Sequence, residues 1–118
     1  MKRKALTPHT LTDAQQAADL AAAVQIGNTA VGQTALYLPG RVLPRRQYLP
    51  LADIRRAYLR LVIGTRKHGN FRQPLLVVET DAGPMAYLYG REQQVRDILA
   101  ALADRGVTVG KPRPPKPN

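Results

Sequence analysis

From Arg56 to Ile63 the chain alternates without a break, with Ala57, Leu59, Leu61 and Ile63 pointing one way and Arg56, Tyr58, Arg60 and Val62 the other. A repeat of two is that of a β-strand, whose successive side chains lie on opposite faces. The segment therefore reads as a half-buried strand with its arginines in water. It lies in the most cationic part of the chain. Arg41 to Arg72 holds nine basic residues against one acid, Asp53, so these 32 residues carry +8 of a net +10. The stretches 5–40 and 73–110 are each −2, while Lys2-Arg3-Lys4 and Lys111, Arg113 and Lys116 together add +6. Charge gathered in this way presents a cationic face and draws anionic partners by long-range attraction.

At 118 residues the chain has the size of one domain. One Phe, no Trp and five Tyr leave its core to Leu, Val, Ile and the tyrosines. The lack of Cys removes disulfides, thiolate metal sites and thiol redox chemistry, which fits a reducing compartment. Met1-Lys2-Arg3-Lys4 has the charge of a signal-peptide n-region, but no long apolar run follows it, and stretches such as Leu20–Val24 and Leu61–Ile63 are short. A bilayer span needs about 20 apolar residues. The expectation is a soluble, cytoplasmic protein.

Three parts follow from composition. Residues 1–10 read as a basic flexible N-terminus, 11–109 as the folded unit, and 110–118 (GKPRPPKPN) as a Pro/Lys/Arg-rich flexible tail of polyproline type. Within the folded unit, Thr12-Asp13-Ala14-Gln15 matches a helix capping box. Ala17, Leu20, Ala21 and Val24 then share one helical face, and Gly27 is placed to end the helix. Ala30–Leu38 reads as a strand stopping at Pro39-Gly40, and Tyr48–Leu51 as a second short apolar segment. Gly64–Gln73 reads as a polar loop, and Leu75–Thr80 and Met85–Tyr89 as a hairpin about Asp81-Ala82-Gly83-Pro84. In Arg91–Arg105 the spacing of Val95, Ile98, Leu99 and Leu102 predicts an amphipathic helix closed by Gly106. The fold class expected is α+β.

Thr34–Leu38, Tyr48–Ile54 with its turn at Pro50-Leu51-Ala52-Asp53-Ile54, Leu75–Thr80, Asp81-Ala82-Gly83 and the closing helix form a pattern that resembles the pleckstrin-homology-like (PH-like) superfamily, in particular its small bacterial members. The resemblance spans roughly residues 28–106. It implies a strongly bent antiparallel sheet, a PH-like barrel, capped by the C-terminal amphipathic helix, to which this chain adds an N-terminal helix. The motifs that carry it are patterns of apolar residues and turns, which bear on fold and hardly on function. The tryptophan typical of the terminal helix in eukaryotic members is missing. The basic motif of the phosphoinositide binders, a Lys followed by (Lys or Arg)-x-Arg, has only Arg41…Arg45-Arg46 in its place, so inositol-lipid binding is not implied.

The chemical inventory points to binding rather than catalysis. There is no Ser and no Cys to serve as nucleophile. His9 falls in the basic N-terminus and His68 in a polar loop with no orienting carboxylate beside it in sequence. Glu79 and Asp81 flank a tight turn, where Asp ordinarily stabilises the turn itself. Two histidines and scattered acids make no metal-ligand spacing, and Gly64-Thr65-Arg66-Lys67-His68-Gly69 lacks the ending of a phosphate loop. No catalytic residue, metal or cofactor is expected. The binding candidates are Arg56, Tyr58 and Arg60 on one strand face, with Arg45, Arg46, Arg66, Lys67 and Arg72 in loops. The plainer alternative is a solvated strand face that uses charge to deter edge pairing. The function expected is a protein-interaction module with a cationic face, and the second candidate is a small basic nucleic-acid-associated protein. An anionic membrane surface is a further partner that charge alone supports, and a second copy of the chain is another candidate.

Overall fold

A computed structural model describes residues 3–39, 47–66 and 69–111, with Thr65, Arg66 and Asn70 described in backbone only. Arg41, Arg45, Arg46, Lys67 and His68 lie outside the described residues, as does the tail from Pro112 onward.

The fold is α+β, with two helices and two sheets. After a two-residue strand β1 (Lys4–Ala5) and helix α1 (Asp13–Ala21) come β2 (Val24–Ile26), β3 (Thr29–Val31), β4 (Ala35–Leu38) and β5 (Gln47–Pro50). A 3-10 turn over Leu51–Asp53 leads into β6 (Arg56–Arg66), β7 (Gly69–Thr80) and β8 (Gly83–Leu88), and α2 (Glu92–Asp104) closes the chain. β2 to β5 form an antiparallel meander, with β1 added parallel to β5, giving the order β1-β5-β4-β3-β2. β6, β7 and β8 form a separate antiparallel sheet. The described residues show no closed barrel.

The central strands β3, β4 and β5 of the first sheet are buried on both faces. Val31, Leu36, Leu38 and Leu49 turn inward to Leu76, Val78 and Tyr87 of the second sheet and to Val95, Ile98 and Leu102 of α2. Ala30, Ala35, Tyr37 and Tyr48 face the other way, toward Ala5, Leu11, Leu20 and Ala23 of the N-terminal segment and α1. The expected stripe of α2 is in place, with Val95, Ile98 and Leu102 buried and Leu99 half-buried. Its C-terminus is a Schellman motif: Val107 N donates to Leu102 O and Gly106 N to Ala103 O, both at 3.0 Å, with Gly106 at φ +86°. The chain then runs beside β6, Ala57 N donating to Thr108 O and Gly110 N to Ala57 O.

The capping box is present in full: Gln15 N donates to Thr12 Oγ1 at 3.1 Å and Thr12 N to Gln15 Oε1 at 2.8 Å. The rest of α1 departs from expectation. The helix ends at Ala21, and Gly27, at φ +58°, serves the β2–β3 turn instead. The helix face that is buried is polar, Gln16 and Asp19, while Ala17 and Ala21 are exposed. Asp19, 9% exposed, accepts from Gln33 N (2.8 Å) and Thr34 N (3.0 Å) through Oδ1 and from Ala35 N (3.0 Å) and the Tyr37 hydroxyl (2.9 Å) through Oδ2. The loop that wraps this carboxylate breaks the expected Ala30–Leu38 strand into β3 and β4. A Cβ on Gly32 would collide with the carboxylate, so the close approach requires glycine.

Two further expectations are corrected. Residues 3–10 are not a free tail. Lys4 and Ala5 pair with Gln47 and Tyr48, Leu6 N donates to Tyr48 O, and the Arg3 guanidinium lies 5.9 Å from the Tyr37 ring centroid. The outer edge of β5 supplies backbone partners that composition cannot reveal. Nor is Gly64–Gln73 a loop. The β6–β7 ladder continues through Ile63↔Arg72 and Gly64↔Phe71 to Arg66↔Gly69. The Phe71 ring lies against Gly64, where an added Cβ would sit 2.6 Å from Cε1. Among the described residues no helix is long and apolar enough to cross a membrane.

Two outcomes are expected from this packing. Asp19→Ala strands three backbone amides and a buried hydroxyl and should cost about 3 kcal/mol or more, read from the urea midpoint. Parent-like stability would show that the loop finds other partners. Burial, and then the Asp19 carboxylate beside it, hold the Tyr37 hydroxyl well above the usual phenol range. Above about pH 10 the unfolded chain gives up that proton while the folded one keeps it, so stability is full below pH 10 and declines above it. Tyr37→Phe should flatten that alkaline decline.

Candidate functional site

The outer face of the β6–β7–β8 sheet carries the candidate site. Alternation along β6 places Ala57, Leu59 and Leu61 toward the core and Arg56, Tyr58, Arg60 and Val62 away from it. Register brings Glu79, Val77, Leu75 and Gln73 of β7 opposite this second set, with Pro84, Ala86 and Leu88 of β8 beyond them. The face is therefore cationic along one strand and largely aliphatic across the other two. Leu88 is 71% exposed and Val62 37% exposed.

Of the expected residues, Arg56, Tyr58 and Arg60 come together as the alternation predicts. Arg56 donates from Nη1 to Gly110 O at 2.8 Å, which ties the end of the described chain to the head of β6. Tyr58 donates to Glu79 Oε1 at 3.4 Å, and Arg60 is exposed without a hydrogen bond among the described residues. Partial burial, then the Glu79 carboxylate, raise the Tyr58 hydroxyl above its ordinary range, while Arg60 pulls it down. Arg66 and Arg72, expected in loops, stand on β6 and β7. Arg72 is opposite Ile63, on the other face from Arg60, and donates to Glu92 Oε1 at 3.4 Å. Arg45, Arg46 and Lys67 lie outside the described residues.

Sequence reasoning missed one cluster. His9 Nδ1 lies 2.8 Å from Asp53 Oδ1, and Thr7 Oγ1 donates to Asp53 Oδ2 at 2.5 Å. Both line a cavity of about 180 Å³ with Thr80, Asp81 and Ala82. A carboxylate does orient a histidine here, but its hydroxyl neighbours are engaged: Thr7 on Asp53, and Thr80 between Gly83 O and Ala82 N. The cluster pins the N-terminal segment to the 3-10 turn. Alternate spacing of Thr7 and His9 was its only trace in sequence, since Asp53 lies more than forty residues away (|i−j| = 46 from Thr7). Among the described residues no three His, Asp or Glu side chains gather to hold a metal. A shallow groove beside α1, lined by Leu11, Gln15, Ala18, Asp19, Ala22, Gln33 and Thr34, ends on the Asp19 carboxylate, whose oxygens already accept four bonds.

Comparison with protein-family models, curated proteins and solved structures found no match to this chain.

The Tyr58–Glu79 contact has a direct readout. Glu79→Gln removes the carboxylate that opposes ionisation, so one tyrosine should titrate at lower pH in ultraviolet difference absorbance. An unchanged titration would mean that the two side chains do not meet in solution.

Proposed function

We propose that this chain is a non-catalytic binding module of PH-like type that takes a protein partner on the outer face of β6–β7–β8. Two antiparallel meanders, β2–β5 and β6–β8, followed by the amphipathic α2, support the PH-like reading, in which the first sheet and the helix build the core. The observation that carries the binding reading is the makeup of the outer face. Exposed Leu88 and Val62 lie on the same surface as Tyr58 and the arginines Arg56 and Arg60. Aromatic and Arg side chains beside exposed aliphatic ones on one surface are the makeup that protein interfaces favour. Arg60 supplies attraction and orientation toward an acidic rim on the partner. The Thr7 and Thr80 hydroxyls beside the His9–Asp53 pair are engaged and the chain has no Ser or Cys, which supports binding over turnover.

Affinity recovery from native cells, with and without nuclease, tests this reading. A protein partner should be retained after nuclease treatment, and Leu88→Asp should weaken its binding by about 2 kcal/mol, roughly thirtyfold, with the melting temperature unchanged. Loss of every partner on nuclease treatment, or parent-like recovery by Leu88→Asp, would count against it.

A further inference from the structure

The second surface is the distal part of the β6–β7 hairpin. β8 pairs with Leu75–Thr80 only, so from Val62↔Gln73 to Arg66↔Gly69 the β6–β7 ladder runs on as five register pairs with no third named strand. At about 3.4 Å per residue the ribbon is roughly 15 Å long. Two isolated strands are marginal in water. Here the Phe71 ring laid against Gly64 braces the pair from within.

The sequence that forms it carries charge of one sign. Between Asp53 and Glu79 the chain has no acidic residue, while Arg55, Arg56, Arg60, Arg66 and Arg72 are all carried on β6–β7 or directly before it. The ribbon also exposes an aliphatic side chain: Ile63 is 68% exposed, and its direct cross-strand neighbour on the same face is Arg72. The nearest acid, Glu92, is held by Arg96 at 2.7 and 2.9 Å, so its 3.4 Å contact with Arg72 is the weaker one and leaves that guanidinium free to move to a better acceptor.

We infer that this ribbon is a contact for duplex DNA, lying in the major groove with Ile63 and Arg72 toward the base edges and Arg60 toward a phosphate strand. The B-form major groove admits a two-stranded ribbon, Arg pairs with guanine O6 and N7, and aliphatic groups pack on the thymine methyl. The phosphates supply the negative charge that a cationic ribbon with no acid of its own complements. The A-form RNA groove is too deep and narrow for such a ribbon. Single strands need a row of stacking aromatics, and on the ribbon only Phe71 is aromatic. The inference concerns the ribbon and stands independently of the protein partner assigned to the Leu88 face.

The test uses the full chain with a labelled DNA duplex of about two helical turns, the RNA duplex of the same sequence, and polyglutamate. DNA should bind at least tenfold tighter than RNA, with affinity falling steeply between roughly 50 and 200 mM salt. Arg72→Gln should weaken binding about tenfold and relax preference for a G·C pair, while Arg60→Gln should reduce the salt slope by about one without changing sequence preference. Ile63→Ser should lower affinity for thymine-containing sites, and Leu88→Asp should leave DNA binding intact. Amide shifts on adding DNA should cluster from Val62 to Gln73. Equal binding of DNA, RNA and polyglutamate, parent-like binding by Arg72→Gln and Ile63→Ser, or shifts confined to other elements would each overturn the inference.

Discussion

The Asp19 carboxylate is the point on which the N-terminal half is hung. A charge this buried persists only where donors replace the water it has lost. Three consecutive amides, Gln33, Thr34 and Ala35, and the Tyr37 hydroxyl do so. Helix α1 is too short and too alanine-rich to hold itself down by apolar burial, and this polar anchor takes over that role. The same contact sets where β3 stops and β4 starts, requires Gly32 for space, and orients Tyr37 against Tyr48, with ring centroids 6.4 Å apart. Arg3 over the Tyr37 ring then draws the first described residues onto the same layer.

That anchoring decides which sheet keeps an open face. With α1 and residues 3–11 on one side and the second sheet and α2 on the other, the central strands β3, β4 and β5 have no free face. The β6–β7–β8 sheet has one, and Arg56 and Arg60 lie on it. The interior is complete without Arg60, Ile63 and Leu88. Their exposure reflects the surface rather than the packing, which is why the binding readings are placed there and not at the engaged polar groups around Asp19 or Asp53.

The parts legible in sequence were those with local causes. The Thr12/Gln15 box, the Asp81–Gly83 turn, the α2 stripe with Gly106, and the Arg56–Arg60 alternation each depend on residues within a turn or two of one another. The parts that were not legible depend on distant partners. Nothing near Asp19 announces Gln33–Tyr37, and nothing near His9 announces Asp53. The ribbon beyond Val62 was hidden for a different reason. None of the side chains described from Val62 to Arg66 or from Gly69 to Gln73 is fully buried, so the alternation that marks a half-buried strand fades where the ladder itself continues. Of the candidate site, the trio Arg56, Tyr58 and Arg60 was visible in the period of two, while Leu88 and the Ile63–Arg72 pair required the register.

The sequence by itself determined the fold class, the terminal helix and its buried stripe, the hairpin turn, and the location of the positive charge. These follow from periodicity, capping chemistry and composition, which act over short stretches of chain. Only the tertiary structure decided that residues 3–10 belong to the folded unit, that α1 is anchored by a buried carboxylate, and that the β6–β7 ladder continues beyond β8 as a ribbon bearing Arg66 and Arg72. Those outcomes rest on backbone donors and strand edges that any residue can offer, so side-chain identity carries no advance sign of which distant segment will claim them.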